Sequence, residues 1–161
     1  MILKNNKGDV FEDFIDVKEN KISQFLPLTH SVAVVIHDDK HLLVFNKQKE
    51  HWELPGGLID KGESPSQCAI RETKEESNQE ILDIKFLGIM KFELQPDYRI
   101  KVRRVEFGTL YFGKIKELGH FEKNPEISKI CFWDGKENIG TIHSIDLKIL
   151  ELTKKRITSC L

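Results

Sequence analysis

Apolar residues along this chain fall in short runs that are separated by polar breaks, and most of the runs predict β-strands. SVAVVIH (31–37) and HLLVFNK (41–47) are apolar runs that contain β-branched residues. They flank Asp38-Asp39-Lys40, so we expect a β-hairpin with the acidic pair in the turn. Four further stretches predict strands: Trp52–Leu54, 83–94, 102–114 and 127–134.

One helix is predicted with both of its ends marked. Residues 64–77 begin with Ser64, whose hydroxyl suits the N-cap, and Pro65 suits the first helical position. Gln67 completes a capping box with Ser64. Asn78 follows the last turn, where a left-handed residue is usually needed and asparagine is the usual substitute for glycine.

The two ends of the chain complete the predicted architecture. Residues 142–157 carry apolar positions at helical spacing, which predicts an amphipathic helix that lies on the sheet. Residues 1–28 mix charged and apolar side chains, and we expect a strand or hairpin that packs on or beside a domain spanning residues 29–161. The order of strands, helix, strands, helix predicts an α+β protein in which a mixed sheet packs between helices.

The composition narrows the range of partners. Twenty-five basic residues against 26 acidic ones leave a formal charge of -1, which gives no general attraction to a nucleic acid polymer or a membrane. No apolar run approaches the roughly 20 residues of a membrane span, and the N-terminus lacks the apolar core of a signal peptide. Cys68, Cys131 and Cys160 are far apart and odd in number, so we expect reduced thiols in a cytoplasmic protein.

Three glutamates of the predicted helix, Glu72, Glu75 and Glu76, are spaced to project from one face. Each like-charge pair costs on the order of 0.2–0.5 kcal/mol, and the anions stand toward the unfavourable C-terminal end of the helix dipole. A bound cation removes this repulsion, and clustered carboxylates suit Mg²⁺ or Mn²⁺. The alternative is a solvated acidic face with helical ion pairs, such as Arg71 with Glu75.

The opposite face of the same helix is only weakly apolar. Ala69, Ile70 and Thr73 form the predicted packing stripe, with Ser66 and Ser77 beside them. A helix with so little apolar surface indicates a purpose other than packing.

The segment from Gly57 to Gln79 resembles the Nudix box. That signature is Gly, five residues, Glu, seven residues, then Arg-Glu-apolar-x-Glu-Glu-x-Gly-apolar. The matching glycine and charged positions are Gly57, Glu63, Arg71, Glu72, Glu75 and Glu76. Thr73, Asn78 and Gln79 depart from the pattern, but none of these departures removes a charged group. The resemblance implies the α/β/α sandwich of Nudix hydrolases.

The resemblance also implies roles for the residues of the box. The implied metal platform consists of the Gly56 carbonyl, Glu72, Glu75 and Glu76. Arg71 would orient the glutamates by pairing with Glu63 or Glu75, and the alternative is an ordinary surface ion pair. Gly57 and Glu63 would give structural support. Glu72 would act as general base, or as base and ligand together.

A further carboxylate of the family often comes from a loop before the last strand. Glu126 stands at the matching place, six residues before Phe132, and it is a candidate distal ligand or catalytic base. The alternative is a solvent-exposed glutamate at the start of a strand. Glu117 and Glu122 are weaker candidates for the same role.

Substrate-binding residues are less clearly marked. Arg99 and Arg103, in and after the polar loop Gln95–Lys101, could hold a phosphate, although a solvated edge is the stronger alternative. Strand alternation sends Arg103 and Arg104 to opposite faces, so only some of these cations can converge. Trp52 could stack a base, yet it is an equally good core residue. The six histidines show no ligand or triad spacing.

The resemblance implies a divalent-metal-dependent hydrolase that cleaves a diphosphate linkage with water. A MutT-like enzyme acting on nucleoside triphosphates of the 8-oxo-dGTP type is the first expectation, and a hydrolase of ADP-ribose or nucleotide sugars is the second. A regulatory nucleotide-binding domain without catalysis is the third, although such proteins usually lose box glutamates. The expected partner is a small nucleotide, and the N-terminal extension can form a homodimer contact or a lid.

Overall fold

The computed structural model describes residues 1–161 and contains a nine-stranded mixed sheet with two α-helices. The strands are β1 (Leu3–Lys4), β2 (Val10–Ile15), β3 (Leu28–His37), β4 (Lys40–Asn46), β5 (His51–Glu53), β6 (Gly56–Leu58), β7 (Leu82–Leu94), β8 (Arg104–Lys114) and β9 (Ile127–Trp133). The helices are α1 (Pro65–Ser77), α2 (Ser144–Cys160) and a short 3-10 helix, Glu19–Gln24. The predicted α+β architecture is confirmed.

Strand β3 organises the sheet because its two edges are used differently. The main strand order is β1-β2-β7-β8-β3-β4-β5. Along one edge, β3 pairs in parallel with β8. Along the other edge, β4 pairs with Ile36 and His37 of β3, and β6 pairs with His30–Val32. β9 pairs with β4. The short strand that leads into α1 is therefore anchored on the middle of the sheet.

The two faces of the sheet carry separate apolar clusters because side chains alternate along each strand. Val34 of β3 joins the larger cluster, which also contains Ile149 of α2. Ala33 of β3 joins the smaller cluster, which contains Ala69 of α1. α1 therefore packs on one face of the sheet and α2 on the other.

Both helices differ in detail from the sequence prediction. α2 starts at Ser144 rather than at residue 142, because Ile142 forms a bridge with Trp52 instead. In α1 the predicted packing residue Ile70 is 38% exposed, whereas Cys68 is fully buried. The Cys68 thiol donates to the carbonyls of β6, so α1 is rotated toward that strand. No helix here has the length and apolar character that crossing a membrane requires.

The predicted turn and helix ends are present. Asp38 and Asp39 have φ angles of 47° and 60°, the left-handed backbone that a two-residue hairpin turn needs. Ser64 and Gln67 form the capping box at the start of α1. Asn78 ends the helix with a φ angle of 57°. These local features follow from the sequence because each depends on neighbouring residues alone.

The N-terminal segment is part of the same sheet. β1 and β2 form an antiparallel pair, and β2 then pairs with β7, where Phe11 lies opposite Phe92. Phe11 is fully buried and its ring stacks on that of Phe92. The 3-10 helix is fastened by Glu19, which accepts a hydrogen bond of 2.9 Å from the buried Tyr111 hydroxyl. Residues 1–28 therefore complete one edge of the sheet and contribute to its core.

The capping box gives a test of the helix that carries the acidic residues. Ser64→Ala removes the hydroxyl that accepts from the Gln67 amide. We expect the free energy of unfolding to fall by roughly 0.5–2 kcal/mol in urea denaturation. Ser23→Ala, at an exposed position of the 3-10 helix, is the control and should change it by less than about 0.5 kcal/mol. Equal effects of the two substitutions would contradict a stabilising role for the cap.

Candidate functional site

Three glutamates from distant parts of the chain meet at one side of the sheet. Glu53 on β5, Glu76 on α1 and Glu126 before β9 each place a carboxylate oxygen within 4.8 Å of the other two. β5 and β9 both pair with β4, which brings Glu53 and Glu126 together. We call these three residues the glutamate cluster. Sequence analysis missed Glu53 as a site residue. Its only signal in the sequence was a charged residue between two apolar ones, Trp52 and Leu54, which the structure buries.

Glu76 is the buried member of the glutamate cluster. It is 4% exposed, and its carboxylate accepts one hydrogen bond of 2.8 Å from the Gly56 amide. Burial raises the pKa of Glu76 to about 9, and the neighbouring Glu126 and Glu53 carboxylates add to this, although the Gly56 hydrogen bond opposes it. A divalent cation would favour the charged form. Hard ions such as Mg²⁺ and Mn²⁺ prefer carboxylate oxygens, so the donor set fits such an ion.

The other two helix glutamates take different positions from Glu76. Glu72 is mostly buried, and burial raises its pKa although Arg71 and its hydrogen bond lower it. The Glu72 carboxylate lies against Gly57, where an added Cβ would come within 2.4 Å of it. The Glu75 side chain is 58% exposed and lies outside the glutamate cluster. The structure thus brings Glu76 and Glu126 together, with Glu72 beside them and Glu75 facing outward.

Arg71 holds the acidic side chains around the start of α1. Its guanidinium donates to both carboxylate oxygens of Glu63, at 2.7 and 2.9 Å. It also donates to Glu72 at 2.8 Å and to Glu75 at 3.1 Å. A hydrogen bond to the Leu58 carbonyl, at 3.0 Å, fixes the guanidinium on β6. The hydrogen bond from Arg71 lowers the pKa of Glu63 to about 2, so the pair is charged at neutral pH.

Asn46 connects two members of the glutamate cluster. It is 2% exposed at the end of β4, and its amide nitrogen donates to Glu53 at 3.0 Å and to Glu126 at 3.5 Å. Its carbonyl oxygen accepts from the backbone amides of Gln48 and Lys49, both at 3.1 Å. Sequence analysis missed Asn46, because an asparagine after a strand is commonly a turn residue.

A cavity of about 280 Å³ adjoins the glutamate cluster on the α2 face of the sheet. Glu53 and the Gly56–Leu58 strand form part of its wall. Met90 and Phe92 of β7 and Ile149 of α2 supply apolar surface. Apolar surface with polar groups beside it is typical of a site for a small molecule. The cavity therefore offers space for a ligand whose polar end lies near the carboxylates.

The predicted substrate-binding residues do not converge. Arg99 lines the cavity and pairs with Asp97 at 3.8 Å. Arg103 does not line the cavity; it pairs with Glu93, and its side chain is 62% exposed. Trp52 is 5% exposed and its indole donates to the Ile139 carbonyl, so the core alternative applies and the ring is not free to stack a base.

Histidines contribute more to this region than their spacing indicated. His30 of β3 and His143 before α2 both line the cavity. His143 pairs with Asp146 at 3.3 Å, and Asp146 also accepts from the Leu54 amide at 2.9 Å. His51 lies 3.0 Å from Glu53. The His51–Glu53 and His143–Asp146 pairs are local, whereas the Leu54–Asp146 hydrogen bond joins residues that are 92 positions apart and that no spacing rule could bring together.

Removal of the Asn46 amide tests its role at the glutamate cluster. Asn46→Leu leaves Glu53 and Glu126 without their shared donor. Loss of a group that orients ligands should weaken Mn²⁺ binding by about 10- to 100-fold in calorimetry. The exposed neighbour Gln48→Leu is the matched control and should bind Mn²⁺ as the wild type does. Unchanged affinity in Asn46→Leu would contradict the role.

Gly57→Ala tests the contact between Gly57 and Glu72. The added Cβ would displace the Glu72 carboxylate, whereas the backbone at Gly57 needs no left-handed conformation. We expect Mn²⁺ affinity to fall by about tenfold while circular dichroism stays unchanged. Combining Gly57→Ala with Glu72→Asp, a shorter side chain, should relieve the clash. If Gly57→Ala binds Mn²⁺ normally, Glu72 does not depend on this contact.

The raised pKa of Glu76 predicts how stability depends on pH without metal. Between the ordinary pKa of glutamate and about 9, folded Glu76 holds a proton that the unfolded chain has released. The stability of the metal-free protein should therefore fall as pH rises through that window. Mg²⁺ should offset the loss, most strongly at the alkaline end. Urea denaturation in EDTA checks this, and Glu76→Gln should show a weaker slope; a stability that rises with pH would contradict it.

Comparisons with known proteins agree with this arrangement. The NUDIX domain matches residues 27–152. An RNA pyrophosphohydrolase of Pelagibacter ubique is 29% identical over 149 residues, which are 83% of this chain and 90% of that protein. The Bacillus subtilis pyrophosphohydrolase BsRppH has a TM-score of 0.72 at 17% identity, over 98% of this chain and 96% of that one. The NUDIX domain of Shewanella oneidensis NrtR, complexed with ADP ribose, has a TM-score of 0.65 at 20% identity, over 88% and 99% of the two chains. With its matching domain, mixed sheet and acidic helix, this chain belongs to the Nudix hydrolase family of pyrophosphohydrolases.

Proposed function

We propose that this enzyme hydrolyses the 5′-polyphosphate of a nucleotide, with Mg²⁺ or Mn²⁺ held at the glutamate cluster. The observation that carries the proposal is the meeting of Glu76 and Glu126 with Glu53, which itself lines a cavity that has apolar walls. The carboxylates suit the polyphosphate end through a metal, and the cavity suits the base. The cluster and the Arg71 network retain all the box glutamates, which argues against a domain that has lost catalysis.

The proposed division of labour follows the positions of the side chains. Glu76 and Glu126 hold the ion, with Glu53 from the cluster and the Gly56 carbonyl as further ligands. A bound divalent ion supplies neutralisation of phosphoryl oxygens and lowers the pKa of attacking water. Glu72 accepts the proton of that water, because its raised pKa makes it a better base than an ordinary carboxylate.

Arg71 and Glu75 act at a distance from the reacting atoms. Arg71 fixes the orientation of Glu72 through a hydrogen bond of 2.8 Å. Glu75 stays largely in solvent and helps to hold Arg71, so its proposed role as a metal ligand is weaker than that of Glu76. Glu63 completes this support, and Arg99 and Lys49 are the two cations that line the cavity and can approach a phosphate.

Two classes of molecule carry a 5′-polyphosphate, free nucleoside triphosphates and RNA with a 5′-triphosphate end. A free triphosphate, including the 8-oxo-dGTP type, would place its base in the cavity of about 280 Å³. The Pelagibacter ubique relative, 90% of which is covered by the match, is named an RNA pyrophosphohydrolase. That name favours the RNA end. A formal charge of -1 leaves little attraction for the rest of an RNA, so recognition would centre on the terminal nucleotides. Three free cysteines suit such an enzyme in the cytoplasm.

Phosphate and pyrophosphate release from a substrate series tests the proposal. The series contains GTP, ATP, 8-oxo-dGTP, a short RNA with a 5′-triphosphate, ADP-ribose and a nucleotide sugar, each with Mg²⁺, Mn²⁺ or EDTA. We expect metal-dependent turnover of the triphosphates, and Glu76→Gln should lower kcat/KM by about 100-fold or more. Glu151→Gln, whose side chain is 57% exposed on α2, is the control for loss of a carboxylate.

Each outcome of this series has a defined meaning. Faster turnover of the RNA end than of free triphosphates would identify the RNA source, and the reverse would identify free nucleotides. Exclusive turnover of ADP-ribose or a nucleotide sugar would overturn the triphosphate proposal in favour of a diphosphate-linked substrate. Absence of turnover with tight nucleotide binding would indicate a regulatory domain instead.

A further inference from the structure

One wall of the cavity carries two polar side chains, Glu106 of β8 and His30 of β3, for which the reaction has no use. Glu106 is 7% exposed. The imidazole of His30 lies directly over Gly108, where an added Cβ would come within 2.4 Å of Nε2. Glycine at this position lets the ring lie against β8, and both side chains remain on the cavity wall.

The hydrogen bonds of Glu106 keep it negatively charged. Arg104 donates to Oε1 at 2.6 Å, and the Thr29 hydroxyl donates to Oε2 at 2.8 Å. Burial alone would raise the pKa of Glu106, but these two hydrogen bonds lower it below its ordinary range. A carboxylate with two partners retains unused lone pairs, so Glu106 can accept further hydrogen bonds from a ligand.

The same network fixes which nitrogen of His30 carries a proton. The only hydroxyl proton of Thr29 is donated to Glu106, so the Thr29 oxygen can only accept from Nδ1 of His30, 3.0 Å away. Burial lowers the pKa of His30, which keeps the ring neutral. A neutral ring protonated at Nδ1 has a bare Nε2, which is a hydrogen-bond acceptor.

This wall therefore presents hydrogen-bond acceptors, and its donors are already engaged. Arg104 is occupied by Glu106 and by Asp97, at 2.8 Å. Beside the acceptors lies the ring of Phe92, whose centroid is 5.3 Å from that of His30. An occupant of this part of the cavity must donate hydrogen bonds along one edge and offer a flat apolar face to Phe92.

Resting on the nucleotide function proposed above, we propose that Glu106 and His30 make this cavity selective for a guanine base. The Watson–Crick edge of guanine carries an imino N–H beside an amino group, two adjacent donors that match one carboxylate. Adenine and cytosine place an acceptor nitrogen beside the amino group, and that nitrogen would face the Glu106 charge. Uracil has a single N–H between two carbonyls. A buried acceptor left unpaired by the wrong base costs affinity.

The test compares nucleotides that differ only in the proposed contact. Inosine nucleotides lack the amino group of guanine and are otherwise identical. We expect GMP to bind more tightly than IMP in calorimetry, and GTP to exceed ITP in kcat/KM with Mg²⁺, by roughly 10- to 100-fold. ATP, CTP and UTP should be turned over less efficiently than ITP. The difference should be found mainly in KM.

Two variants assign the effect to the wall. Glu106→Gln replaces the carboxylate by an amide of the same size and should reduce the preference for GMP over IMP to about threefold or less. Thr29→Val removes the hydroxyl that contacts both Glu106 and His30 but leaves these two lining residues unsubstituted. It should also reduce the preference for GMP over IMP. Glu151→Gln, at an exposed position of α2 outside the cavity lining, should keep the wild-type preference.

The outcomes separate this inference from the proposed function. Equal turnover and equal binding of guanine and hypoxanthine nucleotides would overturn guanine selectivity and leave the hydrolase proposal standing. Preferential binding of GMP without turnover of any triphosphate would support the cavity assignment and overturn the hydrolase proposal. An undiminished preference in both Glu106→Gln and Thr29→Val would show that the selectivity lies elsewhere, which overturns the assignment to this wall.

Discussion

Burial of negative charge at the glutamate cluster is the constraint on which the rest of this structure depends. Glu76 is 4% exposed beside two other carboxylates, and it receives only one backbone hydrogen bond, from Gly56. Removing a charge from water is costly unless a partner offsets it. The fold supplies Asn46, which donates to the two outer carboxylates, and Lys49, which pairs with Glu53 at 3.4 Å, but no cationic side chain pairs with Glu76. In the proposed function a metal ion supplies the partner that Glu76 lacks, which would link the stability of the protein to its chemistry.

At two other places carboxylates are neutralised by an arginine side chain, whereas Glu76 has no such partner. Arg71 gathers the carboxylates around α1 and holds Glu63 fully ionised. Arg104 gathers Asp97 and Glu106, which keeps Glu106 charged in spite of its burial. A fixed side chain cannot leave, so these anions are permanently neutralised. Glu76 lacks such a partner, and in the proposed function its neutralisation is left to an exchangeable ion that would also contact the substrate.

Features that depend on neighbouring residues could be predicted from the sequence. The Ser64 cap, the left-handed Asn78 and the spacing of Arg71 within the box all follow from local rules. Features that depend on strand pairing could not be predicted by local rules. β5 and β9, for example, come together only because each pairs with β4. Glu53 therefore escaped notice. The role of Trp52 was ambiguous for a different reason: a large aromatic ring suits both a core and a stacking site, and only the observed burial distinguishes them.

The pairing of β2 with β7 has a consequence for the order of events during synthesis. Phe11 leaves the ribosome well before Phe92, its partner in the finished sheet. β2 therefore cannot pair with β7 until the chain through β7 has emerged. Contacts between such distant positions form slowly because a large loop has to close first. Asn5 and Asp9, which line the cavity, lie just before β2, so their part of the cavity wall depends on the same late pairing.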